Sequence, residues 1–172
     1  MINIDTCNDK LPEAQKELGL KINQSNLCSE ITLPTNEERT AVCCLSSVNL
    51  EHFDKWSKDP QFIEDLITML DNVIEHYIEN AIDTSNLGGY VANFKRFRKY
   101  IKDGKEGFLK SAYSAYRERS LGLGAMGFHA YLQSKKIPFE SIFATSFNHK
   151  AFNHIKNSAS KASNKLYHTR GE

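Results

Sequence analysis

The chain has 172 residues, 40% of them hydrophobic, enough for one ordinary domain with its own core. Its 22 basic and 21 acidic side chains leave a formal net charge of +1, so no global field steers it to nucleic acid or to a membrane. Four cysteines without a regular framework, no long apolar run and no signal-peptide pattern after Met1 point to a reducing, soluble compartment, the cytoplasm.

Residues 1–24 read as a polar lead-in. Ile2-Asn3-Ile4-Asp5 alternates like the end of a strand, and Asn8-Asp9-Lys10-Leu11-Pro12 is a turn signal, so the chain is expected to begin mid-fold. Cys7 has no nearby Cys or His at metal-ligand spacing and is read as structural or incidental. The stretch from Asn26 to Leu50 carries chemistry. In an extended segment Asn26, Cys28 and Glu30 point to one side, roughly 6.5 to 7 Å apart, and Leu27, Ser29 and Ile31 to the other. One face then bears an amide, a thiol and a carboxylate, a trio able to hold a hydroxylated substrate while the sulfur reacts with it. A second thiol at Cys43 can return on a neighbouring segment, because Pro34-Thr35-Asn36-Glu37-Glu38-Arg39 is a polar connection of ordinary length. Two thiols can store two electrons as a disulfide. Against this stands the commoner role of a cysteine as a small packing residue, which is the reading given to Cys44, on the opposite face from Cys43 if the segment is extended.

After Leu50 the pattern becomes helical. Asp59 before Pro60 supplies a cap and a residue suited to a first turn; Phe62, Leu66, Met69, Leu70, Val73 and Tyr77 then share a face that Ile63, Ile67, Ile74 and Ile78 widen. A helix so apolar around its girth is expected to be largely buried, as an outer barrel helix or an oligomer contact would be. Gly88-Gly89 closes that region. From Tyr90 to Lys110, Lys95, Arg96, Arg98, Lys99, Lys102, Lys105 and Lys110 are interleaved with Phe94, Phe97 and Tyr100, a composition that suits phosphates and unpaired bases. Phe94, Phe97 and Ile101 nevertheless recur at helical spacing, which favours a solvated charged face over a nucleic-acid site. Gly122-Leu123-Gly124-Ala125-Met126-Gly127 matches a dinucleotide fingerprint in letters only. Arg117-Glu118-Arg119-Ser120 precedes it in place of a buried strand, and Glu140 comes too early to hold a ribose. A helix through His129 and Leu132, a break at Lys135-Lys136-Ile137-Pro138 and a helix from about Ser141 to Tyr167 complete the chain. His149 and His154, five apart, fall on different faces of that helix and are read as surface residues, and no metal site is expected.

Ser25-Asn26-Leu27-Cys28-Ser29-Glu30-Ile31, followed by Ala41-Val42-Cys43 with Leu45-Ser46 and Asn49-Leu50, resembles the active-site region of the class I ribonucleotide reductase large chain, of bacterial or phage type. Ser120 to Gly127 resembles that family's glycine-rich strand and the start of the helix after it, whereas the basic segment looks like an insertion. The resemblance implies an α/β fold, a helix-rich fragment of a ten-stranded α/β barrel with the Asn-x-Cys-x-Glu segment on a central loop. It implies that Cys28 forms a transient thiyl radical that takes hydrogen from the ribose 3' carbon, that Glu30 accepts the 3' hydroxyl proton, that Asn26 holds the substrate hydroxyls and that Cys43 is one half of the reducing dithiol. It also implies a ribonucleoside diphosphate substrate, a large-chain dimer, no cofactor in this chain, a radical supplied by a metal-containing small subunit, and a thioredoxin or glutaredoxin-type reductant.

The chain is accordingly expected to be a partial barrel domain over 1–172, with active-site strands and loop at 24–50 and a helical and glycine-strand region at 51–172. An N-terminal nucleotide-sensing domain, an earlier cysteine to pair with Cys43, a later tyrosine pair and a Cys-x-x-x-x-Cys tail are not seen, and Tyr113 and Tyr116 lie in the wrong context to replace those tyrosines. The expected consequence is that the chain needs the remaining large-chain segment. The alternatives are a non-catalytic assembly fragment of a split or truncated reductase, and a nucleic-acid module through 94–110. A small thiol-disulfide enzyme is disfavoured, since no Cys-x-x-Cys motif is present.

Overall fold

A computed structural model describes residues 2–37, 39–80 and 110–170. Gly88-Gly89 and the basic aromatic run as far as residue 109 lie outside the described residues. The chain divides into two compact units, Met1–Cys43 with Glu75–Ser120, and Cys44–Ile74 with Leu121–Glu172.

The second unit is built from strand-helix pairs. Strand β1 (Cys44–Asn49) lies parallel to β2 (Leu121–Met126), in a register that runs from Cys44 opposite Leu121 to Asn49 opposite Met126. Parallel neighbours need a long connection, and the residues between them supply it. A single 3-10 turn, Leu50–His52, and a short helix α1 (Phe53–Trp56) follow β1, and a short helix α2 (Phe128–Ser134) follows β2. Each strand is also succeeded by a long helix, α3 (Phe62–Asn80) and α4 (Ile142–Arg170). Asp59 caps the start of α3, its carboxylate accepting the Gln61 N–H at 2.9 Å, as the Asp-Pro signal predicts. Ser141 does the same for α4, accepting from Ala144 N–H at 3.2 Å. Two ion pairs join these helices, Glu64 with Lys165 and Asp71 with Arg170. The partners advance together along both helices, so α3 and α4 run in the same direction, as the helices of successive strand-helix units do.

Their core gathers Val48, Leu50, Phe53, Trp56, Ile63, Ile67, Tyr131, Leu132, Phe147 and Ile155. Phe53 is its hub, edge-on to Trp56 at 4.9 Å and to Phe147 at 5.4 Å, while Tyr131 stacks on Phe147 at 3.7 Å. The Trp56 indole N–H donates to the Asn49 carbonyl at 2.9 Å, which ties the core to the end of β1. The buried stripe of α3 is Ile63, Ile67, Leu70, Ile74 and Ile78. This corrects the face expected from the sequence, because Met69 and Val73 are about half exposed. Ten apolar side chains around one helix make two overlapping stripes, and packing selects the isoleucine stripe together with Leu70. His154 is also corrected: it is half-buried, its ring 5.8 Å from both Phe53 and Trp56.

In the first unit the lead-in forms two short helices, α5 (Ile4–Asp9) and α6 (Glu13–Glu17), in place of the expected strand end. Asn3 explains the difference: its side chain accepts the Thr6 N–H at 3.1 Å, and a cap of this kind outweighs four residues of alternation. Helix α7 (Lys110–Glu118) packs Ala112, Ser114 and Ala115 inward. Tyr77 donates to Ser111 at 2.6 Å, and Arg119 pairs with Glu75 at 2.6 Å.

Candidate active site

The Cys28 segment is not extended. Ser29 N–H donates to the Asn26 carbonyl at 3.0 Å, closing a β-turn with Leu27 and Cys28 at its centre, and Ser29 itself has φ +65°. Asn26 closes the turn a second time. Its N–H donates to the Ile31 carbonyl at 3.2 Å and its Oδ1 accepts the Ile31 N–H at 3.0 Å. The alternating face expected for Asn26, Cys28 and Glu30 is therefore replaced by a six-residue loop, because the Asn side chain can do what a strand partner would otherwise do. Since Oδ1 is engaged, the amide NH2 is the end of Asn26 left to donate to a hydroxylated ligand. Cys28 and Glu30 are exposed on this loop.

Two clamps hold the base of the loop. Thr35 N–H donates to the Lys21 carbonyl at 3.1 Å, and Asn23 Nδ2 donates to the Thr35 carbonyl at 2.6 Å, so the chain from 21 to 35 is pinched shut. Below the pinch, Asn8 on α5 brackets Ile22: its Oδ1 accepts the Ile22 N–H at 2.8 Å and its Nδ2 donates to the Ile22 carbonyl at 2.9 Å. A single side chain thus satisfies both polar groups of a buried residue that no sheet serves.

Beyond the pinch, Asn36 and Arg39 form a tight bridge, and Arg39 is buried although it stands in a stretch that reads as polar connection. Its guanidinium meets Glu118 Oε1 at 2.7 Å, with 9% and 7% of the two side chains exposed. Glu118 Oε2 accepts from Ser114 Oγ at 3.2 Å, and the Arg39 guanidinium lies 5.3 Å from the Tyr113 ring centre. Sequence reasoning missed Arg39, Glu118 and Asn8. The partners of the ion pair stand 79 positions apart, so no local pattern marks them; only the side-chain types, an Asn and an Arg flanking a cysteine loop, are visible beforehand.

Cys43 is half-buried four residues after Arg39, and Cys44 opens β1. All four cysteines are thiols. Burial pushes the Cys44 thiol above its ordinary value, which lowers its thiolate fraction and suits the packing role given to it. The structure thus sets Asn26, Cys28 and Glu30 on one closed loop, with Cys43 on the segment that Arg39 anchors. The glycine run also finds its place. It is strand β2, and Gly127 ends it at φ +75°, where an added Cβ would lie 2.1 Å from Asn49 Oδ1. Close backbone packing, not phosphate binding, explains that glycine. Among the described residues no cluster of His, Cys, Asp or Glu could hold a metal, and no helix is long and apolar enough to cross a membrane.

Comparison with known proteins gives a consistent result. Residues 1–172 match the family model for the ribonucleotide reductase barrel domain. The chain is 44% identical over 169 residues to the ribonucleoside-diphosphate reductase large subunit of Invertebrate iridescent virus 3, covering 98% of this chain and 23% of that protein. It is 43% identical to a large subunit so named, as putative, in Frog virus 3, covering 98% of this chain and 26% of that one. Among solved structures, the Actinobacillus ureae class Id ribonucleotide reductase alpha subunit superposes with a TM-score of 0.81 at 32% identity, over 98% of this chain and 28% of that chain. The chain therefore spans about a quarter of the length of these relatives.

Proposed function

Because the chain belongs to the ribonucleotide reductase barrel-domain family, we propose that it contributes the thiol loop and two neighbouring staves of a ten-stranded barrel to a large chain that reduces ribonucleoside diphosphates to deoxyribonucleoside diphosphates. The observation that carries this reading is the closed loop Asn26–Ile31, which presents an exposed thiol beside a carboxylate and an amide NH2 within a chain matched to the family from end to end. On this reading Cys28, as a thiyl radical, takes a hydrogen atom from the ribose 3' carbon and becomes a thiol. Glu30 accepts the 3' hydroxyl proton, the Asn26 NH2 holds a substrate hydroxyl, and Cys43 supplies one sulfur of the dithiol that becomes a disulfide as two electrons pass to the ribose. On this reading residues 1–172 belong to one partial barrel domain, with the Asn26–Ile31 loop carrying its reacting thiol.

The same reading assigns the partners. The radical arrives from a separate, metal-containing small subunit, a thioredoxin or glutaredoxin-type protein restores the dithiol, large chains pair as dimers, and the enzyme works in the cytoplasm. The chain's own residues hold and orient substrate and carry hydrogen and electrons. The test is turnover in the assembled enzyme that contains this chain. Cys28→Ser should abolish deoxyribonucleotide formation, because an alcohol cannot stand in for a thiol as a balanced hydrogen carrier, while Cys43→Ser should stall the reduction step after substrate has bound. Normal steady-state turnover in Cys28→Ser would remove the proposal.

A further inference from the structure

We infer that Asn8 and Asn23 are positioning residues for the reaction, acting together as a clamp that sets the Cys28 loop. This rests on the reading of Cys28 as the reacting thiol.

The clamp is built around the buried Ile22. Asn8 holds Ile22 by both backbone groups, at 2.8 Å to the N–H and 2.9 Å to the carbonyl, and its Nδ2 also donates to the Ile4 carbonyl on its own helix at 3.0 Å. The residues on either side of Ile22 then hold Thr35. The Lys21 carbonyl accepts the Thr35 N–H at 3.1 Å, and Asn23 Nδ2 donates to the Thr35 carbonyl at 2.6 Å. Pro34, beside Thr35, is buried. The pinch therefore joins two embedded points of the chain, one from each end of the loop. Three residue steps lead from Asn23 to Asn26 and four from Ile31 to Thr35, reaches of at most about 11 and 14 Å. Between them Asn26 and Ile31 close an inner rung around the turn that bears Cys28. Loss of Asn8 acts on position as well as on stability. The N–H and carbonyl of Ile22 lose the partner that both share, and the cost of leaving such groups unmade drives the backbone to turn them toward another. Any such rotation at Ile22 swings the Lys21 carbonyl and the Asn23 side chain, the two grips on Thr35, and the thiol moves with the pinch. Apolar contacts are non-directional, whereas hydrogen bonds fix particular atoms in distance and angle, which is what aiming a sulfur requires.

The test is made in the assembled enzyme that contains this chain. For Asn8→Ala, kcat should fall about 100-fold with KM changed by less than about threefold, the pattern of a reacting group displaced by about 1 Å. Asn23→Ala removes one of the two grips on Thr35 and should lower kcat about 10-fold. Amide hydrogen exchange, followed by mass spectrometry of peptides across residues 20–36, reads the loop itself. The Ser29 and Ile31 N–H groups, which close the turn and the inner rung, should exchange faster together with those of Ile22 and Thr35. Cys28→Ser is measured alongside. If it is inactive while both Asn variants keep wild-type kcat, the inference is overturned and the active-site reading stands. If kcat falls in the Asn variants but exchange across 26–31 stays at the wild-type rate, the clamp does not set the loop and the inference is overturned as well. Should Cys28→Ser turn over normally, the active-site reading fails and the inference falls with it. Should Asn8→Ala fail to assemble, Asn23→Ala, a change at an exposed residue, decides alone, and wild-type kcat in that variant would overturn the inference.

Discussion

The two units of this chain are held together by different means. The strand-helix unit is closed by an apolar core around Phe53, with aromatic rings meeting edge-on and stacked. Among its described residues, the unit that carries Cys28 buries Leu11, Ile22 and Ile78, and its side chains grip backbone or each other across long separations. A core of the first kind tolerates small shifts and loses stability by volume. Clamps of the second kind fix position at particular atoms, and each fails singly when one partner is removed.

This contrast can be tested, beginning with the largest effect. Phe53→Ala should destabilise the strand-helix unit by about 3–5 kcal/mol, the range for emptying a buried aromatic site. Denaturant unfolding followed by the fluorescence of Trp56, the one tryptophan in the chain, reads it directly. A loss below about 1 kcal/mol would mean that the apolar core is not what holds this unit. Gly127→Ala comes next, at about 1–3 kcal/mol, because it puts a Cβ at positive φ against the Asn49 amide. The same fluorescence midpoint should shift, and Asn49→Ala in the Gly127→Ala background should recover the part due to collision.

Asn8→Ala should cost about 1–3 kcal/mol by leaving the Ile22 N–H and carbonyl without their partner. Its signature is local. Amide hydrogen exchange at Ile22 should accelerate while the Trp56 transition stays put, and a matching shift at Trp56 would dissolve the distinction between the units. The smallest effect concerns Asp54, which accepts from Tyr131 at 3.1 Å and pairs with Lys135 at 2.8 Å. The Lys135 hydrogen bond, foremost, holds the Asp54 carboxyl below its ordinary value. A carboxylate depressed in the fold contributes stability that is present above its unfolded value and is lost as pH falls through the folded one. Asp54→Asn should therefore lower the melting temperature slightly at neutral pH and leave it unchanged below the folded value, which flattens the acid limb; the loss is small because both partners are almost half exposed to solvent. A large change at neutral pH would show that the surface pair matters more than the core beneath it.

Much of the strand-helix unit was legible in advance because its signals are local and repeated. The Asp59-Pro60 start and the break at Lys135–Pro138 each depend on neighbours within a few residues, whereas the glycine run reads as a strand only through the family resemblance. The buried face of α3 was not legible, since its periodicity was satisfied by two stripes and only packing chooses between them. In the other unit, the residue types of the candidate site were readable at Asn26, Cys28, Glu30 and Cys43, but their conformation was not. Alternation over six residues is weak evidence for a strand, and one Asn side chain bonded to Ile31 is enough to fold the segment into a turn. Arg39 and Asn8 were illegible for a plainer reason: what gives each its role is a partner remote in sequence.

The close approach of Gly127 to Asn49 has a consequence for descent. The Asn49 amide is not idle, since its Oδ1 accepts the Glu51 N–H at 3.0 Å and so starts the turn after β1. A lineage cannot enlarge residue 127 while keeping that cap, nor can it move the cap without opening room for a side chain. The two positions should be inherited as a pair, so that relatives with any other residue at 127 also lack asparagine at 49, and a relative that broke one half of the pair alone would carry a compensating shift in the turn at Leu50–His52.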